Sequence, residues 1–245
     1  QEQAPSTDHH VRRRLLSQPS AAEQRRVAVL SVRLLSGVEK VAKYCNSPET
    51  PIFSKGRVFF GLDKSKRAIL DAKFAIICEG QLDLIACFMG GVKNIVAPQG
   101  TAFTENHARI LKRYADEVVL CFDSDNAGKN AASRSIELLL SGGFSISVAI
   151  LPSPHDPDSF IKSFGPKAFE ELIDQSKDFF EFYLDLLCSR HDTRTDSGRV
   201  TVVKKMGHMV RTTNSDILIE NTAQRIAISR YLQLDTFRNE TQRVE

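Results

Sequence analysis

The protein has 245 residues, 42% of them hydrophobic, which suffices for one large or two small domains with a buried core. Its 33 basic and 30 acidic residues give a net charge of +3, too even a balance to indicate a nucleic-acid-binding protein by itself. No apolar run reaches the roughly 18 residues of a membrane helix, and the 5 cysteines have no CxxC spacing. We therefore expect a cytoplasmic enzyme with reduced thiols, no membrane partner and no zinc site.

The first part of the chain divides into a polar tail and a basic segment. Residues 1–26 are rich in Gln, Ser, Pro and Arg without apolar periodicity, which predicts a disordered tail. Residues 27–35 (VAVLSVRLL) predict a strand, and the Pro-containing stretch 43–57 predicts a loop. Between Lys40 and Arg67 basic residues outnumber acidic ones, which indicates either a phosphate-binding surface or a solvated loop. Because the sequence does not start with Met, we expect a fragment of a longer protein.

From residue 74 onward short apolar runs alternate with helix-length amphipathic stretches. This rhythm predicts an α/β fold over residues 74–160, with a parallel sheet flanked by helices. Thr104 is a candidate helix N-cap, and Gly142 with Gly143 a candidate helix end. Farther on the apolar spacing is helical, which predicts an α-helical subdomain over residues 161–245.

Acidic residues follow three of the predicted strands, where the carboxyl ends of parallel strands meet at one edge of the sheet. The pairs are Glu79 and Asp83, Asp123 and Asp125, and Asp156 and Asp158. In an extended segment, side chains two residues apart share a face, so each Asp-x-Asp pair can address one cation or two adjacent ones. Oxygen ligands with no Cys or His pair nearby favour Mg²⁺ or Mn²⁺, which suit phosphoryl transfer. One such pair alone is more often a loop or cap feature, but three clusters predict a metal site.

These acidic motifs carry a resemblance to a known family. Glu79-Gly80 with Asp83, then residues 123–128 (DSDNAG), then residues 156–158 (DPD) resemble the Toprim signature of bacterial DnaG-type DNA primases. The basic loop 43–56 and the turn at 97–102 (APQGTA) are also similar to that family. The resemblance covers residues 27–190. It implies that 27–73 is a remnant of the N-terminal part of the RNA polymerase core and that 74–160 is a Toprim domain.

The resemblance also implies roles for individual residues. Glu79 is expected to act in acid-base chemistry or metal positioning, and Asp83 to assist it. Catalytic roles fall to Glu79, Asp83, Asp123 and Asp125, and metal ligation to Glu79, Asp123, Asp125, Asp156 and Asp158. The implied contacts to template or nucleotide are Lys43, Tyr44, Asn46, Lys55, Arg57 and Arg33.

The implied function is that of a DNA primase, which makes short RNA primers on single-stranded DNA by metal-dependent nucleotidyl transfer during replication. Its implied partners are the single-stranded template, ribonucleoside triphosphates and the RNA primer. A replicative helicase is expected to bind through a domain outside this chain, and zinc to belong to a separate module of the full-length family. Two alternatives remain open: a Toprim metal-dependent nuclease and a Toprim domain that only binds.

Two other patterns have ordinary structural explanations. His107 and His155 lie near the acidic motifs and are expected to be surface or hydrogen-bonding residues. The aromatic residues within 179–183 recur at helical spacing and are expected to pack in a core.

Overall fold

The computed structural model describes residues 15–21, 27–34, 44–46, 48–51, 53–213 and 215–228. Its first strands, β1 (Leu15–Ala21), β2 (Val27–Leu34) and β3 (Tyr44–Asn46), form an antiparallel sheet in the order β1-β2-β3. The strand predicted at β2 is confirmed. The disordered tail is wrong for Leu15–Ala21, because this stretch forms an edge strand that pairs along its length with β2.

The predicted loop between β2 and the main sheet contains more regular structure than expected. It includes β3, and Lys55–Arg57 form one turn of 3-10 helix near its end. Between them Thr50 and Phe53 exchange backbone hydrogen bonds of 2.8 and 3.0 Å, which close a turn.

Alternating strands and helices follow from Phe59, earlier than residue 74, where the apolar rhythm predicts their start. They are β4 (Phe59–Phe60), α1 (Leu62–Ala72), β5 (Phe74–Ile77), α2 (Gln81–Met89), β6 (Ile95–Pro98), α3 (Glu105–Leu111), β7 (Glu117–Leu120), α4 (Asn126–Ser141), β8 (Ser145–Val148), α5 (Pro157–Asp174), β9 (Lys177–Asp178), α6 (Phe179–Arg190), α7 (Asp196–Arg211) and α8 (Asp216–Ile228). Thr104 caps α3 and Gly142 ends α4, as expected. Helix α5 is broken at Gly165, whose φ of 83° suits glycine, directly before Pro166.

The main sheet has the strand order β4-β6-β5-β7-β8-β9. Its central strands β6, β5, β7 and β8 are parallel, as predicted, and the short edge strands β4 and β9 are antiparallel to their neighbours. From β5 the chain builds the sheet first to one side, at β6, and then to the other, at β7 and β8. The topological switch point therefore lies between β5 and β7, and sheets of this type bind ligands at the carboxyl ends of the strands there.

Helices cover both faces of the sheet, because alternate strand residues point to opposite sides. On one face α2 and α5 pack on Ile76 and Val119; on the other α1, α3, α4 and the α6–α8 group pack on Ile77 and Val118. Phe179, Phe180 and Phe182 of α6 are buried in this second core and Tyr183 is partly buried against it, as predicted. No helix in the described ranges is long and apolar enough to cross a membrane.

Candidate active site at the carboxyl ends of the central strands

The first acidic pair flanks the turn between β5 and α2. Glu79 comes shortly after the strand, and Asp83 lies in the first turn of the helix. Gly80 takes the N-cap position between them, and a Cβ built there would lie 2.3 Å from Oδ2 of Asp83. A side chain at position 80 would displace Asp83, so the glycine allows the two carboxylates to share this space.

The second acidic pair lies between β7 and α4. Asp125 is the N-cap of α4, and its Oδ1 accepts a hydrogen bond of 2.7 Å from the backbone N–H of Gly128. A Cβ at Gly128 would lie 2.2 Å from the carbonyl oxygen of Asp123, so the start of α4 presses directly against the Asp123 backbone. The positive end of the α4 dipole therefore lies at the Asp125 carboxylate.

The third acidic pair begins α5. Asp156 is the N-cap, and its Oδ1 accepts a 2.7 Å hydrogen bond from the backbone N–H of Ser159, whose Oγ accepts in return from the Asp156 N–H. Asp158 lies in the first helical turn, with Oδ2 2.7 Å from Nζ of Lys162. The expectation of an extended Asp-x-Asp pair is wrong here, because the helix already starts at Pro157.

Burial and mutual repulsion raise the pKa values of three of these carboxylates. Burial, then the charge of Asp123, raises the pKa of Glu79 to about 7. Burial, then Asp123 and Asp156, raises the pKa of Asp83 to about 6. Burial, then Asp156 and Asp125, raises the pKa of Asp123. These influences show that the structure brings carboxylates from all three strand ends within electrostatic reach of one another.

Asp156 departs from this pattern. Its burial acts to raise the pKa, but hydrogen bonds from Ser159 and the charge of Lys162 outweigh it, so the pKa of Asp156 is lowered. The site therefore combines a carboxylate that stays ionised with neighbours that hold protons nearer neutral pH.

A divalent cation fits this set of oxygen atoms. Within the described ranges, Oδ1 of Asp123 is buried and accepts no hydrogen bond, a costly state for a carboxylate oxygen that a bound cation would relieve. The cap hydrogen bonds of Asp125 and Asp156 both use Oδ1. Among the residues described, no three acidic, His or Cys side chains are arranged to hold an ion by themselves. A divalent cation held here would therefore rely on waters or substrate phosphates beside one or two carboxylates.

The structure describes five of the six residues predicted to contact nucleic acid or nucleotide. Lys43 lies outside the described residues. Arg33 and Tyr44 are register partners in β2 and β3, and Asn46 follows in β3. Lys55 and Arg57 lie in the 3-10 turn, where Arg57 is exposed and Lys55 partly so. The structure thus places Lys55 and Arg57 just before the main sheet.

Sequence reasoning missed several residues around the site. Ser159 and Lys162 hold the third acidic pair, and a D-x-x-S capping pattern and an i,i+4 Asp–Lys spacing were the available signals. Thr104 and His107 contact the backbone at Gly56 and Val58, in and just after the 3-10 turn Lys55–Arg57, which we call the basic turn. These partners are 48 and 49 positions away in the sequence, so no local pattern indicates the contacts.

Two family models match segments of the chain. A family model for the DNA primase catalytic core, N-terminal domain, matches residues 3–66, and a Toprim-like model matches residues 76–161. The first match includes most of residues 1–26, whose likeness to the family the sequence analysis did not detect. The DNA primase of Aquifex aeolicus is 43% identical over 143 residues, which cover 58% of this chain and 29% of that protein. The DNA primase of Neisseria meningitidis serogroup A is 38% identical over 189 residues, covering 76% of this chain and 31% of the relative.

Solved structures extend the match across most of the chain. The RNA polymerase domain of Mycobacterium tuberculosis primase DnaG, in complex with double-stranded DNA, is 30% identical with a TM-score of 0.71, covering 87% of this chain and 69% of that one. The chain belongs to the DnaG-type DNA primase family. A DnaG primase catalytic domain bound to single-stranded DNA is similar at 28% identity and a TM-score of 0.76, with 86% and 68% coverage. This primase-family chain spans less than a third of the length of the curated relatives above, at 29% and 31%.

Proposed function

We propose that this chain is part of the catalytic core of a DNA primase, which joins ribonucleoside triphosphates into short RNA primers on single-stranded DNA. One observation carries the proposal: in a chain of the primase family, six carboxylates that follow the strands β5, β7 and β8 lie within electrostatic reach of their neighbours at the carboxyl edge of the sheet. The same metal chemistry used to hydrolyse phosphodiesters would make the protein a nuclease. No feature of the described residues favours that alternative.

Glu79, Asp123, Asp125, Asp156 and Asp158 are the proposed holders of Mg²⁺ or Mn²⁺. When bound, such a cation neutralises charge on the triphosphate and lowers the pKa of the attacking hydroxyl. Asp125 and Asp156 are fixed as helix caps, so their carboxylates keep a constant direction. Asp83 supports the site by accepting a hydrogen bond from the backbone N–H of Asp158.

Glu79 is the proposed acid-base residue. Without a bound cation the pKa of Glu79 is raised to about 7, so its carboxylate can accept or release a proton near neutral pH, as a general base or acid requires. Its neighbours differ in their protonation, since the pKa of Asp156 is lowered. Glu79 can therefore exchange a proton while Asp156 remains charged.

Template and nucleotide phosphates are proposed to contact the basic segment, through Lys43, Lys55 and Arg57 with Arg33, Tyr44 and Asn46 alongside. Support comes from the exposed Arg57 and from the similar DnaG catalytic domain that was solved with single-stranded DNA. The whole protein is proposed to work in the bacterial cytoplasm at replication forks, with a replicative helicase as partner.

A paired assay tests the proposal. The chain is incubated with single-stranded DNA, labelled ribonucleoside triphosphates and Mg²⁺ or Mn²⁺, and the same strand is assayed for cleavage. Incorporation that depends on template and is abolished by Glu79→Gln supports the primase function, with the exposed Glu170→Gln on α5 as matched control. Cleavage without incorporation would establish the nuclease instead.

A further inference from the structure

His107 is a fully buried histidine outside the acidic site, with a relative exposure of 0%. It is the third residue of α3, and Thr104 is the N-cap of the same helix. Both side chains reach back to the segment before the sheet. The Thr104 hydroxyl donates to the carbonyl oxygen of Gly56 at 2.7 Å, and Nε2 of His107 lies 3.1 Å from the carbonyl oxygen of Val58. The two carbonyls flank Arg57 in the chain.

These hydrogen bonds determine which ring nitrogen of His107 carries the proton. A carbonyl oxygen only accepts, so Nε2 must donate to Val58. Nδ1 of the neutral ring then accepts the backbone N–H of Thr104 at 3.2 Å. In return, Oγ1 of Thr104 accepts the backbone N–H of His107 at 3.3 Å. Both ring nitrogens are thus used, and the Thr104 hydroxyl, whose oxygen also lies 3.1 Å from Nδ1, donates its one proton to Gly56.

The surroundings keep this arrangement in one state. The His107 ring packs against Phe59 and Phe103, with ring centroids 4.6 and 5.6 Å away. Burial lowers the pKa of His107 and outweighs the carbonyls of Val58 and Lys55, which act in the opposite direction. The ring therefore stays neutral at pH 7, in the tautomer that the carbonyl of Val58 requires.

The 3-10 turn at Lys55–Arg57 has little structure of its own. Its N-cap residue Ser54 makes no side-chain cap, although Oε1 of Glu49 accepts the Lys55 N–H at 3.1 Å; none of its residues is buried, and such single turns are weak by themselves. Its internal bond is the 2.9 Å hydrogen bond from the Arg57 N–H to the Ser54 carbonyl. The bonds from Thr104 and His107 tie it to α3, an element of the main domain.

Strand register places this turn beside the acidic edge. Phe59, the first residue of β4, pairs with Pro98, the last residue of β6. Pro98 lies at the carboxyl end of a central parallel strand, the same edge at which Glu79 and Asp123 follow β5 and β7. The segment immediately before Phe59 therefore lies at the carboxylate edge of the sheet.

We propose that His107 and Thr104 are positioning residues that hold Lys55 and Arg57 at the carboxylate edge, where the two cations contact nucleic-acid phosphates. This inference rests on the proposed function, because it takes the basic turn as a contact for template or primer. His107 does not touch the nucleic acid itself; it acts through the backbone of residues 56 and 58.

Two substitutions separate the bonds of His107. In His107→Gln the side-chain amide reaches about as far as Nε2 and can donate to Val58. In His107→Asn the shorter amide can replace Nδ1 toward Thr104 but does not reach Val58. Binding of a fluorescent oligothymidylate to the full chain is titrated at several salt concentrations. We expect His107→Asn to lower the affinity about fivefold at ~0.1 M salt and the salt slope by about 0.7, the effect of one lost phosphate contact, and His107→Gln to recover most of both.

A double-mutant cycle with Lys55→Ala distinguishes positioning from general stability. If His107 acts through Lys55, adding His107→Asn to Lys55→Ala should lower the affinity further only by the part that Arg57 contributes. The two affinity losses should therefore be clearly less than additive. Thr104→Val is the second variant and Thr104→Ser its matched control, because serine keeps the hydroxyl. The gain in melting temperature with Mn²⁺ should be unchanged in all of them, since the carboxylates are untouched.

The outcomes separate the two proposals. Less-than-additive losses with recovery in His107→Gln and Thr104→Ser support the positioning role. A Lys55→Ala effect together with normal binding by His107→Asn and Thr104→Val overturns the positioning role alone, as do fully additive losses. If Lys55→Ala and Arg57→Ala both bind as the wild type does, the basic turn is not a nucleic-acid contact, and that part of the proposed function fails with the inference.

Discussion

The backbone N–H of Asp158 donates a hydrogen bond of 3.3 Å to Oδ1 of Asp83, and so connects the first turn of α5 to the first turn of α2. The two residues are 75 positions apart in the sequence. The bond lowers the pKa of Asp83, but burial and the charges of Asp123 and Asp156 outweigh it. Asp83 is therefore held in a position where its negative charge is costly.

Metal-free stability should fall as pH rises toward neutral. The pKa of Glu79 rises from 4.5 to about 7 and that of Asp83 from 3.8 to about 6 on folding. A raised folded-state pKa stabilises the folded protein below the unfolded pKa, and this contribution is lost as pH rises through the folded pKa. We expect lower urea midpoints at pH 8 than at pH 5 in EDTA, with a smaller difference in Asp83→Asn. Glu79 is exposed as a whole residue, so solvent screens part of its contribution to the pH dependence of stability.

The exposed Glu170 on α5 supplies the control for that experiment, since Glu170→Gln should leave the difference between pH 5 and pH 8 unchanged. Mn²⁺ should restore stability at pH 8 in the wild type. If stability falls equally between pH 5 and pH 8 in the wild type and in Asp83→Asn, the crowding of carboxylates at this site does not cause the pH dependence.

Two substitutions of Asp125 should distinguish its role as a helix cap from its role in metal binding. Asp125→Ala removes the cap of α4 and should cost about 1 kcal/mol of unfolding free energy. Asp125→Asn keeps an oxygen for the Gly128 N–H, so it should melt like the wild type without metal. Both variants, and Asp123→Asn, should lose most of the stabilisation by Mn²⁺. Retained Mn²⁺ stabilisation in all three would remove these residues from the proposed ligand set.

Lys162 should compete with the metal for Asp158. Its Nζ lies 2.7 Å from Asp158 Oδ2, a partly exposed pair worth at most about 1 kcal/mol. Lys162→Met should therefore lower the Mn²⁺ concentration at half-saturation by up to about fivefold, whereas the exposed Lys167→Met should not. Weaker Mn²⁺ binding by Lys162→Met would mean instead that Lys162 mainly holds Asp158 in place.

Gly128→Ala should damage both the fold and the metal response. The new Cβ would lie 2.2 Å from the Asp123 carbonyl oxygen, an overlap that forces backbone movement and costs about 1–3 kcal/mol. Gly143→Ala is the matched control, because Gly143 has a φ of 72° but no atom within 4 Å of the built Cβ. It should lose about 1 kcal/mol from backbone strain and keep its Mn²⁺ stabilisation. Equal Mn²⁺ responses in the two variants would contradict the link from Gly128 to Asp123.

The basic segment should bind single-stranded DNA in a salt-dependent way. Each neutralised phosphate releases condensed counterion, so Lys43→Ala and Lys55→Ala should each reduce the slope of log affinity against log salt by about 0.7. The loss should not depend on base sequence, since phosphate contacts carry no base information. Unchanged affinity and slope in both variants would mean that the segment is only a solvated surface.

Much of the α/β domain follows from local pattern. The alternation of apolar runs and amphipathic stretches predicts β5 through β8 with their helices, because each period reflects burial on one face. The placement of Glu79, Asp123 and Asp156 at strand ends follows from the same alternation. Thr104 and Gly142 were recognisable because helix caps depend on one or two residues.

The sequence by itself determined which residues stand at the strand ends and which family they resemble. Only the tertiary structure decided how they meet: the switch point between β5 and β7, the Asp158–Asp83 hydrogen bond, and the reach of His107 to Val58. Strand β1 and the edge strands were missed for the same reason, since their partners lie elsewhere in the chain. Periodicity and capping are local properties, whereas pairing, burial and crowding of charge depend on residues brought together by folding.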